Sequence, residues 1–156
     1  MKRKYIATIF IVIILISSYF VYEKISTKIP IYAPKTIIKY NEKNISTSLG
    51  DYYWINNNTD NGHETGVAYD IGIKTPKFDA KPGDKVQISI PKSPFYVRVN
   101  QILNSRYKIK EYTPYKDGKE YIFTLPTEKG IYVFEVYAKW DKDKHNTATI
   151  FRVSIE

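Results

Sequence analysis

The chain has 156 residues, enough for one two-layer domain and a short membrane anchor. It contains no cysteine, which excludes a disulfide framework, a thiolate metal centre, a cysteine nucleophile and lipid attachment through Cys. The net charge of +8 divides unevenly: Lys2, Arg3 and Lys4 precede the first apolar segment, and 21 basic residues face 16 acidic ones after it, leaving +5.

Tyr5 to Tyr22 read YIATIFIVIILISSYFVY, 18 residues without a charge. A helix of this length spans roughly 27 Å, close to the hydrocarbon thickness of a bilayer, and satisfies its own backbone in lipid. Tyr5, Tyr19 and Tyr22 lie near its ends, where amphipathic rings favour the interface, and the basic residues 1–4 place the N-terminus in the cytoplasm. A cleaved signal peptide begins in the same way but needs an Ala-x-Ala-like site. The stretch Ser17-Ser18-Tyr19-Phe20-Val21-Tyr22-Glu23 offers bulky aromatics instead. The expectation is an uncleaved transmembrane signal anchor over 5–22, in a single-pass cell-membrane protein with its C-terminal domain extracellular.

Residues 23–34 (EKISTKIPIYAP) hold two prolines and read as a stalk. From 35 to 156 the sequence predicts short strands separated by turns, with no helical period. Strands are expected over Thr36–Tyr40, Asp51–Ile55, Val67–Ile73 and Lys85–Ile90, the last entered through the turn Lys81-Pro82-Gly83-Asp84. Next comes Phe95–Leu103, with Phe95, Val97, Val99 and Leu103 on one face. Tyr107–Tyr112 and Glu120–Leu125 follow as a hairpin across Pro114 to Gly118. Ile131–Trp140 alternates clearly, with Tyr132, Phe134, Val136, Ala138 and Trp140 on the buried side. A polar loop joins it to Thr147–Ile155, whose Phe151, Val153 and Ile155 share a face. Eight or nine short strands at this spacing point to an all-β, antiparallel β-sandwich.

Three segments resemble a group of uncharacterised exported domains of Bacillus-type bacteria, the YhfM-like domains. They are Gly50-Asp51-Tyr52-Tyr53-Trp54, Phe78 through the run Lys81 to Val86, and Gly130 to Trp140 with the strand after it. The resemblance covers most of residues 45–156 and implies an Ig-like or related sandwich on the cell envelope, with no activity to carry over.

Few residues suggest chemistry. His63-Glu64, with Asp60 in the loop that begins at Asn56, could form an acid/base pair or metal site, but an Asn/Gly-rich run is more simply a solvated loop, one that can still recognise a partner. Asp141-x-Asp143-x-His145 resembles the start of a cation loop, yet lacks the later Gly and Glu, and Lys142 and Lys144 oppose it. There is no Gly-x-Ser-x-Gly, no phosphate-cradling glycine loop, and no Cys, Met and His set for copper. No cofactor is expected.

Tyr52-Tyr53-Trp54 could stack on sugars of the cell wall, with alternation putting Tyr52 and Trp54 on one face and Tyr53 on the other. The possible ligand contacts are therefore Tyr52, Tyr53, Trp54, Asn57 and His63. The scattered lysines describe a solvated basic surface, weakly attractive to anionic wall polymers or headgroups; nucleic acid is not an expected partner. The function read from the sequence is a membrane-anchored, non-catalytic binding or accessory module of the bacterial envelope, contacting an envelope protein or anionic wall polymer. Two alternatives stay open: an envelope enzyme or metal-binding protein using the His63/Glu64 loop, and a sensory or assembly subunit acting through its transmembrane helix.

Overall fold

The computed structural model describes residues 11–19, 29–30, 32–56, 59–104 and 109–156, the backbone alone at 56 and 59–61. The chain divides into two units, Met1–Pro30 and Ile31–Glu156. In the first, residues 11–19 are helical (α1) with exposed apolar side chains. The hydroxyls of Ser17 and Ser18 donate back to the carbonyls of Ile14 and Leu15 at 3.0 and 2.9 Å, which hides two polar groups inside an apolar run. Residues 5–10 and 20–22 of the expected anchor lie outside the described residues. Among the described residues no helix is long and apolar enough to cross a membrane.

The second unit is a β-sandwich. One sheet has five strands: β1 (Ile37–Tyr40), β2 (Lys43–Asn44), β6 (Lys85–Ser89), β9 (Tyr115–Asp117) and β10 (Glu120–Thr124), in the order β2-β1-β6-β10-β9. The other is built on the long hairpin β11 (Gly130–Lys139) and β12 (His145–Ile155), paired from Gly130↔Ile155 to Lys139↔Asn146. β7 (Tyr96–Ile102) and β8 (Ile109–Tyr112) extend it beyond β11, and β3 (Ser48–Asn56) and β4 (Thr59–His63) extend it beyond β12. β5 (Lys77–Ala80) joins the C-terminal half of β12 in parallel, beside β3 on the same edge.

The inner faces meet as alternation requires. Val86, Ile88, Tyr121, Phe123 and Leu125 pack against Val99, Phe134, Val136, Phe151 and Val153. Phe134 is the hub, with ring centroids 5.1 Å from Phe123 and 5.2 Å from Phe151. Tyr40 clamps the turn before β6, its hydroxyl donating to Asp84 at 2.6 Å while Asp84 also accepts the Lys81 N–H at 3.0 Å. Those two hydrogen bonds, Tyr40's the larger, hold the Asp84 carboxyl below its ordinary pKa.

Several expectations need correction. Val67–Ile73 is not a strand: Ala68–Lys74 form a helix, α2, on the outer face of the larger sheet. The odd residues Val67, Tyr69, Ile71 and Ile73 imitate a strand, but tertiary packing decides the conformation. Ala68, Tyr69 and Ile71 cover an outward apolar cluster of Ile102, Val133 and Ile150 that would otherwise face water. Asp70 in the first turn and Lys74 in the last suit the helix dipole, and Arg152 donates to the Ile73 carbonyl at 2.5 Å.

The second correction concerns the expected hairpin between Tyr107–Tyr112 and Glu120–Leu125. β8 pairs with β7 in the larger sheet, whereas β10 turns back onto β9 through Gly118, whose φ of +57° suits a tight turn. Phe95 and Leu103 fall outside β7 and are exposed, because the strand is shorter than the alternation suggested. Nor is the sheet purely antiparallel, given β5. Most of the expected Asn-rich loop after Trp54 is strand, with only residues 57–58, outside the described residues, between β3 and β4.

Gly72 sets how closely α2 approaches the sheet. A Cβ there would lie 2.1 Å from Val133 Cγ1. Gly72→Ala is expected to destabilise by about 1–3 kcal/mol through overpacking, read from urea unfolding of the full chain. Gly62→Ala, whose Cβ would meet Tyr53 at an ordinary 3.5 Å, should cost much less. Equal effects would mean that the helix does not seat as described.

Candidate functional site

The inward face of β12 changes character along its length. Phe151, Val153 and Ile155 enter the core, but the same alternation places His145, Thr147 and Thr149 on that face too. Opposite them on β3 stand Trp54, paired with His145, and Tyr52, paired with Thr147. The register then slips between Thr147 and Thr149, giving a bulge at Gly50. Only glycine fits there, since a Cβ would sit 2.9 Å from the Ala148 Cβ.

A cleft of about 490 Å³ lies over this polar half, between β3 and β12 on one side and the segment Tyr32 to Thr36 on the other. Its walls combine Tyr32, Tyr52 and Trp54 with the hydroxyl residues Thr36, Ser48, Thr147 and Thr149, and Lys35 sits at its rim. Thr36 and Thr147 are each 2% exposed, and their hydroxyls have no hydrogen-bond partner. Buried hydroxyls without partners are uncommon and cost about 1–3 kcal/mol each. An occupant that reached them would satisfy both with its own oxygens or N–H groups.

Behind the cleft, Trp54 is held edge-on against His145 and Trp140, with centroids 4.8 and 5.1 Å apart. His145 is fixed by Asp141, whose Oδ2 lies 2.5 Å from the ring Nδ1. The other carboxylate oxygen accepts the N–H groups of Asp143, Lys144 and His145 at 3.2, 2.8 and 3.0 Å. The two Asp141 oxygens that would serve a cation loop are thus used to close the hairpin. Burial raises the Asp141 pKa, but the hydrogen bonds from His145 and from the Lys144 and His145 backbone outweigh it and leave it below the ordinary value. An Asp–His pair of this kind orients a base in hydrolases. Here the ring is buried against Trp54 and is not among the residues lining the cleft.

The residues singled out from sequence do not form one cluster. Tyr52 is half-buried and lines the cleft; Trp54, 1% exposed, forms part of its wall. Tyr53 points to the opposite face and is 38% exposed. His63 is exposed on β4, its ring 5.7 Å from that of Tyr52, and Glu64 is exposed beside it. Asn57 and the Asp60 side chain lie outside the described residues. No group of three or more His, Cys, Asp or Glu among the described residues could hold a metal. The cleft's hydroxyls were missed, although one signal was present: threonines at 147 and 149 share the parity of Phe151 and Val153. Compared with known proteins, the chain matches no family model, no curated sequence and no solved structure.

Two outcomes are expected. Thr147→Val keeps the shape and removes the unpaired hydroxyl, so stability in urea should be unchanged or rise by about 1 kcal/mol; a comparable loss would mean that the hydroxyl has a partner. The depressed Asp141 pKa contributes stability above the unfolded value of about 4. That contribution is lost as pH falls through the lower folded value. The gap in melting temperature between wild type and Asp141→Asn should therefore be full at neutral pH and shrink below about pH 4. A gap independent of pH would remove the electrostatic account.

Proposed function

We propose that this protein is a membrane-anchored, extracytoplasmic binding module of the bacterial cell envelope, without catalytic activity. Its Ig-like sandwich serves as a rigid frame for one ligand cleft, and the ligand is an anionic wall glycan. The observation that carries this reading is the pair of buried, unpartnered hydroxyls, Thr36 and Thr147, in a cleft that also presents Tyr32 and Tyr52. Tyrosine faces stack on sugar rings and buried hydroxyls bond to sugar oxygens, while the lining, which has no carboxylate among the described residues, admits a negative chain. Lys35 at the rim and the +5 charge of the exported part favour the approach of an anionic polymer.

Anchoring is supported by the 18 uncharged residues after Lys2-Arg3-Lys4, and by the helical, outward-facing apolar residues 11–19 within them. The resemblance to YhfM-like exported domains supports the compartment on separate grounds. On this reading the anchor holds the cleft within a short stalk's reach of the wall, which would compensate for modest affinity by raising local concentration.

The test uses the full chain in lipid nanodiscs, co-sedimented with purified wall that retains its anionic polymer. Wild type should sediment with the wall. Tyr52→Ala should lower the bound fraction several-fold, and Thr147→Val should lower it without loss of stability. Sedimentation no greater than that of an unrelated anchored domain would overturn the wall-binding reading. For the anchor, protease added to intact cells should remove the domain and leave a membrane fragment. A protected domain, or a shortened protein in the medium, would contradict it.

A further inference from the structure

A second cavity lies on the other side of the larger sheet and differs in chemistry. It measures about 240 Å³ and is floored by Asn100, Ile102 and Glu135, with the start of α2 and the segment before it as one wall. That wall is tied down by Asp51, whose Oδ1 accepts both the backbone N–H and the hydroxyl of Thr65, at 2.7 and 2.8 Å. Asn100 is 2% exposed and donates its amide to Glu135 at 2.9 Å, while its carbonyl oxygen has no partner. Such an oxygen needs a donor.

The charged lining residues are Asp51, Glu135 and Arg98. The Arg98 guanidinium holds Glu111 at 2.9 Å through one terminal nitrogen and lies over the Tyr137 ring at 4.9 Å, while its buried Nε has no partner. What the cavity presents is therefore two carboxylates and a buried carbonyl oxygen beside one guanidinium. The three oxygen groups are acceptors, and the two carboxylates outweigh the guanidinium by one negative charge. The remaining walls mix the apolar Val67, Ala68, Ile102 and Ile109 with Thr65, Tyr69 and Asn104. A volume of 240 Å³ corresponds to the liquid share of about eight waters, room for a short aliphatic stem with one polar head.

We propose that this cavity is a binding site for a primary alkylammonium group, its methylenes against Val67, Ala68 and Ile102 and its N–H donors meeting Asn100 Oδ1 and Glu135. The site is independent of the glycan cleft, being on the opposite face of the sheet and of opposite charge preference. The ammonium can come from a free amine or from a lysine-type side chain of a peptide; both offer the same head and stem.

The experiment is an NMR titration of the full chain in nanodiscs with n-butylamine, with Nα-acetyl-lysine amide, and with n-butanol as the uncharged control. Saturable shifts of the Asn100 side-chain amide and of Thr65 and Ala68 are expected with an ammonium probe and not with butanol. Glu135→Gln, which keeps a hydrogen-bond acceptor for Asn100, should weaken amine binding by about tenfold or more. Asp51→Asn, which can still cap Thr65, should weaken it less and serves if the first variant does not fold. Binding of both amines supports the site and assigns it to a side chain on a peptide, whereas binding of butylamine alone supports it and assigns it to a free amine. Equal shifts with butanol, no saturable shift with either amine, or undiminished binding by both folded variants would overturn the proposal. None of these results depends on whether the wall-binding test succeeds.

Discussion

The structure turns on one strand that serves two solvents. β12 crosses the whole larger sheet, and its inward side chains pass from Ile155, Val153 and Phe151, fully inside the core, to Thr149, Thr147 and His145. The apolar half is covered by β6 and β10 and holds the two sheets together through the Phe134 ring cluster. In the polar half Thr147 and Thr149 line the cleft, and His145 backs Trp54. A strand with one uniformly apolar face would have closed the sandwich along its full length and left no cavity. The closed core and the open cleft are thus divided along a single element.

The surroundings of β12 follow from that division. β3 pairs only with its first half, slipping register between Thr147 and Thr149 and ending at Ile150↔Ser48. β5 takes the second half, in parallel. Joining strands on the same edge of β12 requires the chain to travel over the outer face, and α2 is the element that makes this passage. Its close seating on Val133, permitted by Gly72, covers the outward apolar cluster. The cost of holding Thr36 and Thr147 without partners, about 1–3 kcal/mol each, is carried by this frame.

The strongly patterned parts of the sandwich were legible in the sequence. β11, β12 and β6 are long or clearly alternating, and their inward faces are those that periodicity assigned, although α2 also buries Val133 and Ile150 on the other face of β11 and β12. The Lys81–Asp84 turn was legible from Pro82 and Gly83 and is closed by Asp84 as its chemistry suggests. Less was legible where long-range packing overrides local pattern. Val67–Ile73 alternates like a strand but is drawn into α2 by the cluster beneath it. The partner of β10 could not be chosen locally, because β9 is only Tyr115–Asp117 and all three of its residues are exposed. For the site, parity foresaw that Tyr52 and Trp54 share a face apart from Tyr53. The segment 32–36 as the opposite wall has no sequence signal, since its contribution depends on where the chain enters the domain.

Hydrogen exchange on the full chain in nanodiscs, with and without purified wall, addresses the central claim most directly. If the polar half of β12 is the recognition surface, added wall should slow exchange in 32–36, in β3 near Tyr52 and in the first half of β12, and leave β9 and β10 unchanged. Protection appearing instead on β9 and β10, or nowhere, would contradict the account.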